Sequence, residues 1–272
     1  MVSRSDYSSD GVQAARAVML ELYRLLGEYG EHLVVVGGWV PDLLIPQGGE
    51  PHVGSMDVDL AINHRSIPEE GYKTIRELLE SRGYQQGKQP FIFLKTVPVE
   101  GREVLVQVDF LAGEYGGTGR SHRTQAAQDM RPRKARGADL AFENPAGTLL
   151  EGVLPGGGKD RTRILVASIP AFLIMKGFAL GDRLKEKDAY DIVYCLRNSP
   201  GGIEPLSAAL RQLADSKLVQ ESLQIMAEKF ADPESVGPVQ VANFQEIIDP
   251  EERELIQRDA YERVQALLEA LA

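Results

Sequence analysis

Residues 34–44 read VVVGGWVPDLL and residues 54–62 read GSMDVDLAI, and the order of these two stretches decides the fold. The first continues a β-branched run, His32 to Val36, that ends in Gly37-Gly38, the pattern of a buried strand entering a tight turn. A short helix from Trp39 to about Leu44 is predicted next, its regular part confined by Pro41 to the residues after the proline. Ile45 to Val53 holds Pro46, Gly48, Gly49 and Pro51 and reads as a loop. Asp57 and Asp59 then alternate with Met56, Val58 and Leu60. A period-2 strand from Met56 to Ile62 therefore carries two carboxylates on one face.

Outward from this centre, apolar residues at helical spacing from Gly11 to Tyr29 predict an amphipathic helix, with Asp10 as its N-cap and Gly30 as its stop. A second helix is predicted from Pro68 to Arg82, capped by Ser66 and closed by Gly83. Phe91–Val97 and Arg102–Leu111 read as strands paired around Gly101. Two more strands, Thr148–Leu154 and Arg163–Ala167, flank PGGGKD. That turn lacks the spacing of a phosphate-binding P-loop and has no helix pattern after it, so it reads as a hairpin. After Ser168 only helical patterns occur: Ile169–Leu180, Glu186–Arg197, Glu204–Asp215, Leu218–Phe230 and Glu251–Leu271. The expected fold class is α/β (α+β), with a mixed-sheet domain over residues 1–167 and an all-helical domain over 168–272.

The residue types in the central stretch suit phosphate chemistry. Paired glycines after a strand let backbone N–H groups approach a phosphate without an intervening Cβ, and the positive end of the following helix adds to the attraction. Ser55 offers a hydroxyl. Carboxylates at i and i+2 lie about 6–7 Å apart and can share divalent cations. Taken alone, a Gly-Gly turn or a D-x-D strand is ordinary structure; their order raises the reading to a site. Asp109 interrupts the apolar strand VLVQVDFL and is the candidate third metal carboxylate, against the alternative of a solvated edge face. Farther on, Lys176 stands in the apolar helix IPAFLIMKGFAL, where an unpartnered ammonium would be expensive, so it is expected to face a cleft or an anion. Asp188 and Asp191 are three apart and share a helical face. Asp188 reads either as the neighbour that positions Lys176 or as a first-turn acid of its own helix.

Composition narrows the function classes. The formal net charge is −10 over 272 residues, which speaks against a broad basic nucleic-acid face. A local basic run remains: Arg120, Arg123, Arg131, Arg133, Lys134 and Arg136 against the single acid Asp129, read either as a solvated loop or as a nucleotide or RNA contact. Cys195 is the only cysteine, which excludes an internal disulfide and a cysteine-based zinc cluster and fits a reducing cytoplasm. It is expected to be a core thiol. The histidines, His32, His52, His64 and His122, lack metal-site spacing and are assigned no role. Trp39 reads as a core anchor more readily than as a base-stacking platform. No apolar stretch of membrane-spanning length occurs.

The segment VVVGGWVPDLL…GSMDVDLAI resembles the Gly-Gly and D-x-D signature of the nucleotidyltransferase superfamily, whose fold is of the DNA polymerase β type. The later IPAFLIMKGFALGDRLKEKDAYDIVYCL is similar to the lysine-then-R-x-x-x-[RK]-D-x-x-D element of AbiEii-type toxin nucleotidyltransferases. This resemblance implies a nucleotidyltransferase domain at the N-terminus, with Lys176 and Asp188 of the helical domain contributing to its cleft. It also implies catalytic roles for Ser55, Asp57, Asp59, Lys176 and Asp188; the residue pattern itself adds Asp109 as a catalytic carboxylate and gives Gly37, Gly38, Ser55, Lys176 and Asp191 as the nucleotide-binding set. Asp57, Asp59 and Asp109 would hold Mg²⁺ (or Mn²⁺), with an NTP as substrate and RNA, notably transfer RNA, or protein as acceptor. An antitoxin protein is the implied partner. Two other readings stay open: transfer to a small cationic molecule such as an aminoglycoside, which the acidic balance favours, and a non-catalytic nucleotide-binding module.

Overall fold

The computed structural model of the chain describes residues 3–45, 49–68, 73–115, 117–119, 121–183 and 185–272. They form two compact units. One comprises Tyr7–Leu44 and Gly54–Ser168; the other gathers Met1–Asp6, Ile45–Val53 and Ile169–Ala272.

The α/β unit opens with α1 (Ser9–Leu25), whose N-cap is Ser8: its hydroxyl accepts from the Gly11 amide at 3.2 Å. The predicted cap, Asp10, sits in the first turn instead, where a carboxylate suits the positive helix end. The helix stops short of Tyr29 because Gly27–His32 tighten into a 3-10 turn. β1 (Leu33–Val36), α2 (Trp39–Leu44) and β2 (Asp57–Ile62) come next, close to the bounds the sequence pattern predicts. α3 (Ile75–Ser81) is shorter than expected. Thr74, not Ser66, is its N-cap, in a capping box with Glu77; residues 69–72 of the predicted helix lie outside the described residues. The strands β3 (Gln85–Gln86), β4 (Ile92–Val99), β5 (Arg102–Ala112), β6 (Arg133–Lys134), β7 (Ala146–Val153) and β8 (Lys159–Val166) complete the unit.

All eight strands join one mixed sheet in the order β3-β4-β5-β2-β1-β8-β7, with β6 beside the end of β5. β1 runs antiparallel to β2 and parallel to β8, and β2 runs parallel to β5. β1 sits mid-sheet and all four of its residues are buried, which is why it reads as a continuous apolar run with no alternation. The PGGGKD segment is the predicted hairpin: Gly157 and Gly158 take φ of 83° and 86°, and the Gly157 amide donates to Leu154 O at 2.9 Å. α1 contacts β2, β4, β5, β7 and β8. Ala14, Ala15, Val18, Met19 and Leu22 are fully buried, as are Val58, Leu60, Val106, Val108 and Phe110 of the sheet. At about 2 kcal/mol for each large apolar side chain, this burial outweighs the roughly 1 kcal/mol of the single hydrogen bond that the Tyr23 hydroxyl shares between Leu33 O and Leu165 O.

The helical unit contains α4 (Ile169–Asp182), α5 (Glu186–Asn198), α6 (Ile203–Arg211), α7 (Lys217–Lys229), α8 (Val236–Phe244) and α9 (Pro250–Leu271). α4 packs on α5 and α7, and α5 on α8 and α9. Gly177 permits the approach of α4 to α7: a Cβ there would stand 2.2 Å from Ser222 Oγ, while the Ser222 hydroxyl donates to Ile174 O at 2.8 Å. α8 is absent from the sequence-based assignment. Its residues Gly237, Pro238, Gln240, Val241, Ala242 and Phe244 are buried around most of its circumference, so it shows no amphipathic period, and Gly237-Pro238 mimics a turn. Among the described residues no helix is long and apolar enough to cross a membrane.

Candidate functional site

In the α/β unit the two predicted carboxylates and the third come together through strand register. Asp59 on β2 pairs with Asp109 on β5, and Asp57 pairs with Gln107, in a parallel ladder. Partners in such a ladder point to the same face, about 4.8 Å apart, so Asp57, Asp59, Gln107 and Asp109 form one polar patch. All four are half-buried, whereas Val58, Leu60, Val108 and Phe110 point into the core. Apolar residues on the opposite face thus fix the carboxylates' register.

Neighbouring groups orient the patch. Ser55, 4% exposed, donates its hydroxyl to Asp57 Oδ1. The Gln107 amide donates to both oxygens of Asp109 at 3.1 Å. Trp39 is the expected core anchor, 1% exposed, and it also clamps the start of β2, because its indole N–H donates to the Asp57 carbonyl at 2.7 Å. Among the described residues, no three carboxylate, imidazole or thiol groups already converge as a metal cage. The donor set nevertheless fits a hard divalent cation, which takes oxygen ligands. Like charges on neighbouring strands repel one another, and a cation between them would offset that repulsion.

Gly37 belongs to this patch. β1 pairs Val36 with Asp59, and Gly37 is the next residue, at φ 70°. A Cβ on Gly37 would lie 2.1 Å from Asp59 Oδ2. Gly37→Ala is therefore expected to lower stability by about 1–3 kcal/mol through the left-handed backbone, and to displace the Asp59 carboxylate. A thermal melt and an activity assay on the same preparation check this; an alanine variant with wild-type activity would separate Gly37 from the site. Gly38 is buried one residue on. α2 spans six residues, so its dipole contributes little at the turn.

The helical unit carries a second cluster. Lys176 Nζ lies 2.6 Å from Asp188 Oδ1 and 2.8 Å from Asp191 Oδ2. Arg183 bonds Asp188 at 2.8 Å, and Lys187, one turn before Asp191, bonds it at 3.0 Å. Lys176, Lys187, Asp188 and Asp191 are all buried. Burial alone would drive the Lys176 ammonium down; Asp188 and Asp191 outweigh it and hold its pKa above the ordinary range. Burial would likewise raise both acids, but Lys176, helped by Arg183 at Asp188 and by Lys187 at Asp191, holds them below the ordinary carboxylate range. Lys176 thus meets carboxylates inside its own unit, and Asp188 is at once a first-turn acid of α5 and the lysine's partner.

A family model described as nucleotidyl transferase AbiEii toxin, Type IV TA system, matches residues 22–270. The chain belongs to the AbiEii family. Neither a curated protein nor a solved structure matches it. The family match spans both units, so the AbiEii assignment, a nucleotidyltransferase toxin of type IV toxin–antitoxin systems, applies to the sheet and the helices alike.

Sequence reasoning gave no role to His52, Arg183 or Lys187 of this AbiEii chain. His52 has a fully buried side chain, and its Nε2 lies 2.9 Å from Asp191 Oδ1. Its ring stacks on Tyr190 at 5.6 Å and meets Tyr194 edge-on at 4.8 Å. A separation of 139 residues left no local signal. Lys187 did leave one, the i,i+4 spacing to Asp191. Burial, then the Lys187 charge, pushes the His52 imidazole down to about 4, so it is neutral at pH 7 and its contact is a hydrogen bond. The unfolded chain binds the His52 proton near pH 6.5 and the folded chain near 4, so stability is full above pH 6.5 and declines as pH falls towards 4. His52→Gln is expected to flatten the acid limb of a stability–pH curve between those values; an unchanged slope would remove His52 as its source.

Proposed function

We propose that this AbiEii-family chain transfers a nucleotidyl group from an NTP to RNA, with transfer RNA as the first acceptor to test, using Mg²⁺ or Mn²⁺ held by Asp57, Asp59 and Asp109. The observation that carries the reading is the register that sets Asp59 beside Asp109 with Gly37 at its back. The bound divalent cation supplies charge neutralisation at the phosphates, the main need of a transfer governed by positioning and electrostatics.

The chain's own residues do the rest. Gly37 and Gly38 give the triphosphate a backbone approach without a Cβ. The Ser55 hydroxyl donates to Asp57 and would be available to a phosphate oxygen with Asp57 engaged as a cation ligand. Asp109, held by Gln107, takes the proton of the acceptor hydroxyl. That oxygen attacks the α-phosphorus, the bond to the β-phosphate oxygen breaks, and pyrophosphate leaves. Within the helical unit, Lys176 is the candidate for a phosphate oxygen, with Asp188 and Asp191 orienting its ammonium. An antitoxin partner is implied by the family's place in type IV systems, and a reducing cytoplasm suits the buried free thiol of Cys195.

The test is incubation with each α-³²P-labelled NTP, Mg²⁺ and total bacterial RNA. Label in RNA supports the proposal and names the nucleotide. The acidic balance, net −10, favours a second reading, a small cationic acceptor. Label in an added aminoglycoside and none in RNA would select it.

A further inference from the structure

We infer that the basic segment after β5, centred on Arg123, Arg131 and Arg133, binds the phosphate backbone of the acceptor RNA beside Asp109; this rests on the nucleotidyl-transfer reading above. β6 runs parallel to β5, pairing Arg133 with Leu111 and Lys134 with Ala112. Leu111 also pairs with Ala61 on β2. Residues two apart share a face, so Arg133 rises from the same side of the sheet as Leu111, Asp109, Asp59 and Asp57. It stands one strand across and two residues along from Asp109, roughly 8 Å away by strand geometry.

Among the described residues, Arg136 at the end of the segment meets Glu114 at 3.6 Å, and the arginines at its centre have no such partner. The segment's single acid, Asp129, accepts from the Thr74 hydroxyl at 2.5 Å, at the cap of α3. Arg123, Arg131 and Arg133 make no ion pair among the described residues, and Arg123 and Arg131 are exposed. Arg133 has its guanidinium 5.7 Å over the Phe91 ring, and its Nε is buried with no hydrogen-bond partner among the described residues. An arginine held by an aromatic ring and lacking a carboxylate is preorganised for phosphate, which its planar fork matches.

The segment is also built to hold its shape. Gln125, fully buried, donates to Gly113 O at 2.9 Å and accepts from the Thr118 amide at 3.0 Å. The Lys134 ammonium donates to Thr118 O at 3.0 Å and Gly119 O at 2.8 Å, so it braces the loop more than it meets solvent. In a chain of net charge −10, a braced, unpaired arginine cluster beside the carboxylate that meets the acceptor suits a polyanionic acceptor, and RNA is the polyanion that carries a hydroxyl to be modified.

The experiment uses the full-length double variant Arg123→Glu/Arg131→Glu, whose positions are exposed and unpaired, with the double variant Lys159→Glu/Arg161→Glu on the β7–β8 hairpin as a charge-matched control. Transfer RNA affinity is read by fluorescence anisotropy across salt concentrations, and KM for NTP and for RNA by α-³²P labelling. The expected result is a loss of RNA affinity of tenfold or more, a salt slope shallower by about 2, a matching rise in KM for RNA and an unchanged KM for NTP. RNA affinity and slope equal to those of the control overturn the inference. So does a rise confined to KM for NTP, or polyglutamate bound as tightly as RNA by the wild type. RNA held through these arginines with no label transferred to it would leave the surface standing and sink the nucleotidyl-transfer reading instead.

Discussion

Asp59→Asn is expected to lower nucleotidyl transfer about a thousandfold, roughly 4 kcal/mol of transition-state stabilisation, while leaving the melting temperature equal to or above that of the wild type. The two halves of this expectation come from one geometry. Asp59 and Asp109 are neighbours in register on a half-buried face, so their charges repel, and a neutral isostere of the same shape relieves the repulsion. The carboxylate is useful only when a cation and a triphosphate are present. Single-turnover transfer and a thermal melt on the same sample separate the two effects. Activity within tenfold of wild type would remove Asp59 from the site, and a large drop in melting temperature would make it a structural residue.

Lys176→Met should do the reverse, destabilising the helical unit by about 3–5 kcal/mol, because it leaves Asp188 and Asp191 buried without their shared cation. Replacing the ion cluster in part should restore stability. In Lys176→Met/Asp191→Asn, Asp188 keeps Arg183 and the amide at 191 can still accept from Lys187 and His52, so the double variant is expected to be more stable than the single one. Urea unfolding monitored by a probe in the helical unit measures the coupling. Additive losses would mean that Lys176 and Asp191 do not act on each other. Acid should erode the cluster as well: both acids sit below their ordinary range, so the stability they contribute is present near neutrality and is lost as pH falls through their lowered values.

The sheet and its carboxylates were legible because apolar periodicity and strand alternation are local. Val58 and Leu60 had to face inward, so Asp57 and Asp59 had to share the other face. That Asp109 lies beside Asp59 was not readable, since register between strands about 50 residues apart depends on packing that no single segment encodes. α8 was missed because a helix buried nearly all round loses its period. His52 was missed for the opposite reason: its meaning comes from Asp191, which lies far along the chain. The start of α3 went astray because Ser66 and Thr74 are both acceptable caps, and the choice was settled by Glu77, three residues after Thr74.

Cys195 is the only thiol of the chain and is fully buried in α5, where burial also raises its pKa well above the ordinary value. A native molecule therefore offers an alkylating reagent neither an accessible sulfur nor a thiolate. Each molecule carries one chemical clock, silent while α5 stays packed and started by any opening that wets it. The rate of its modification times the excursions of the helical unit under native conditions, free of signal from the sheet.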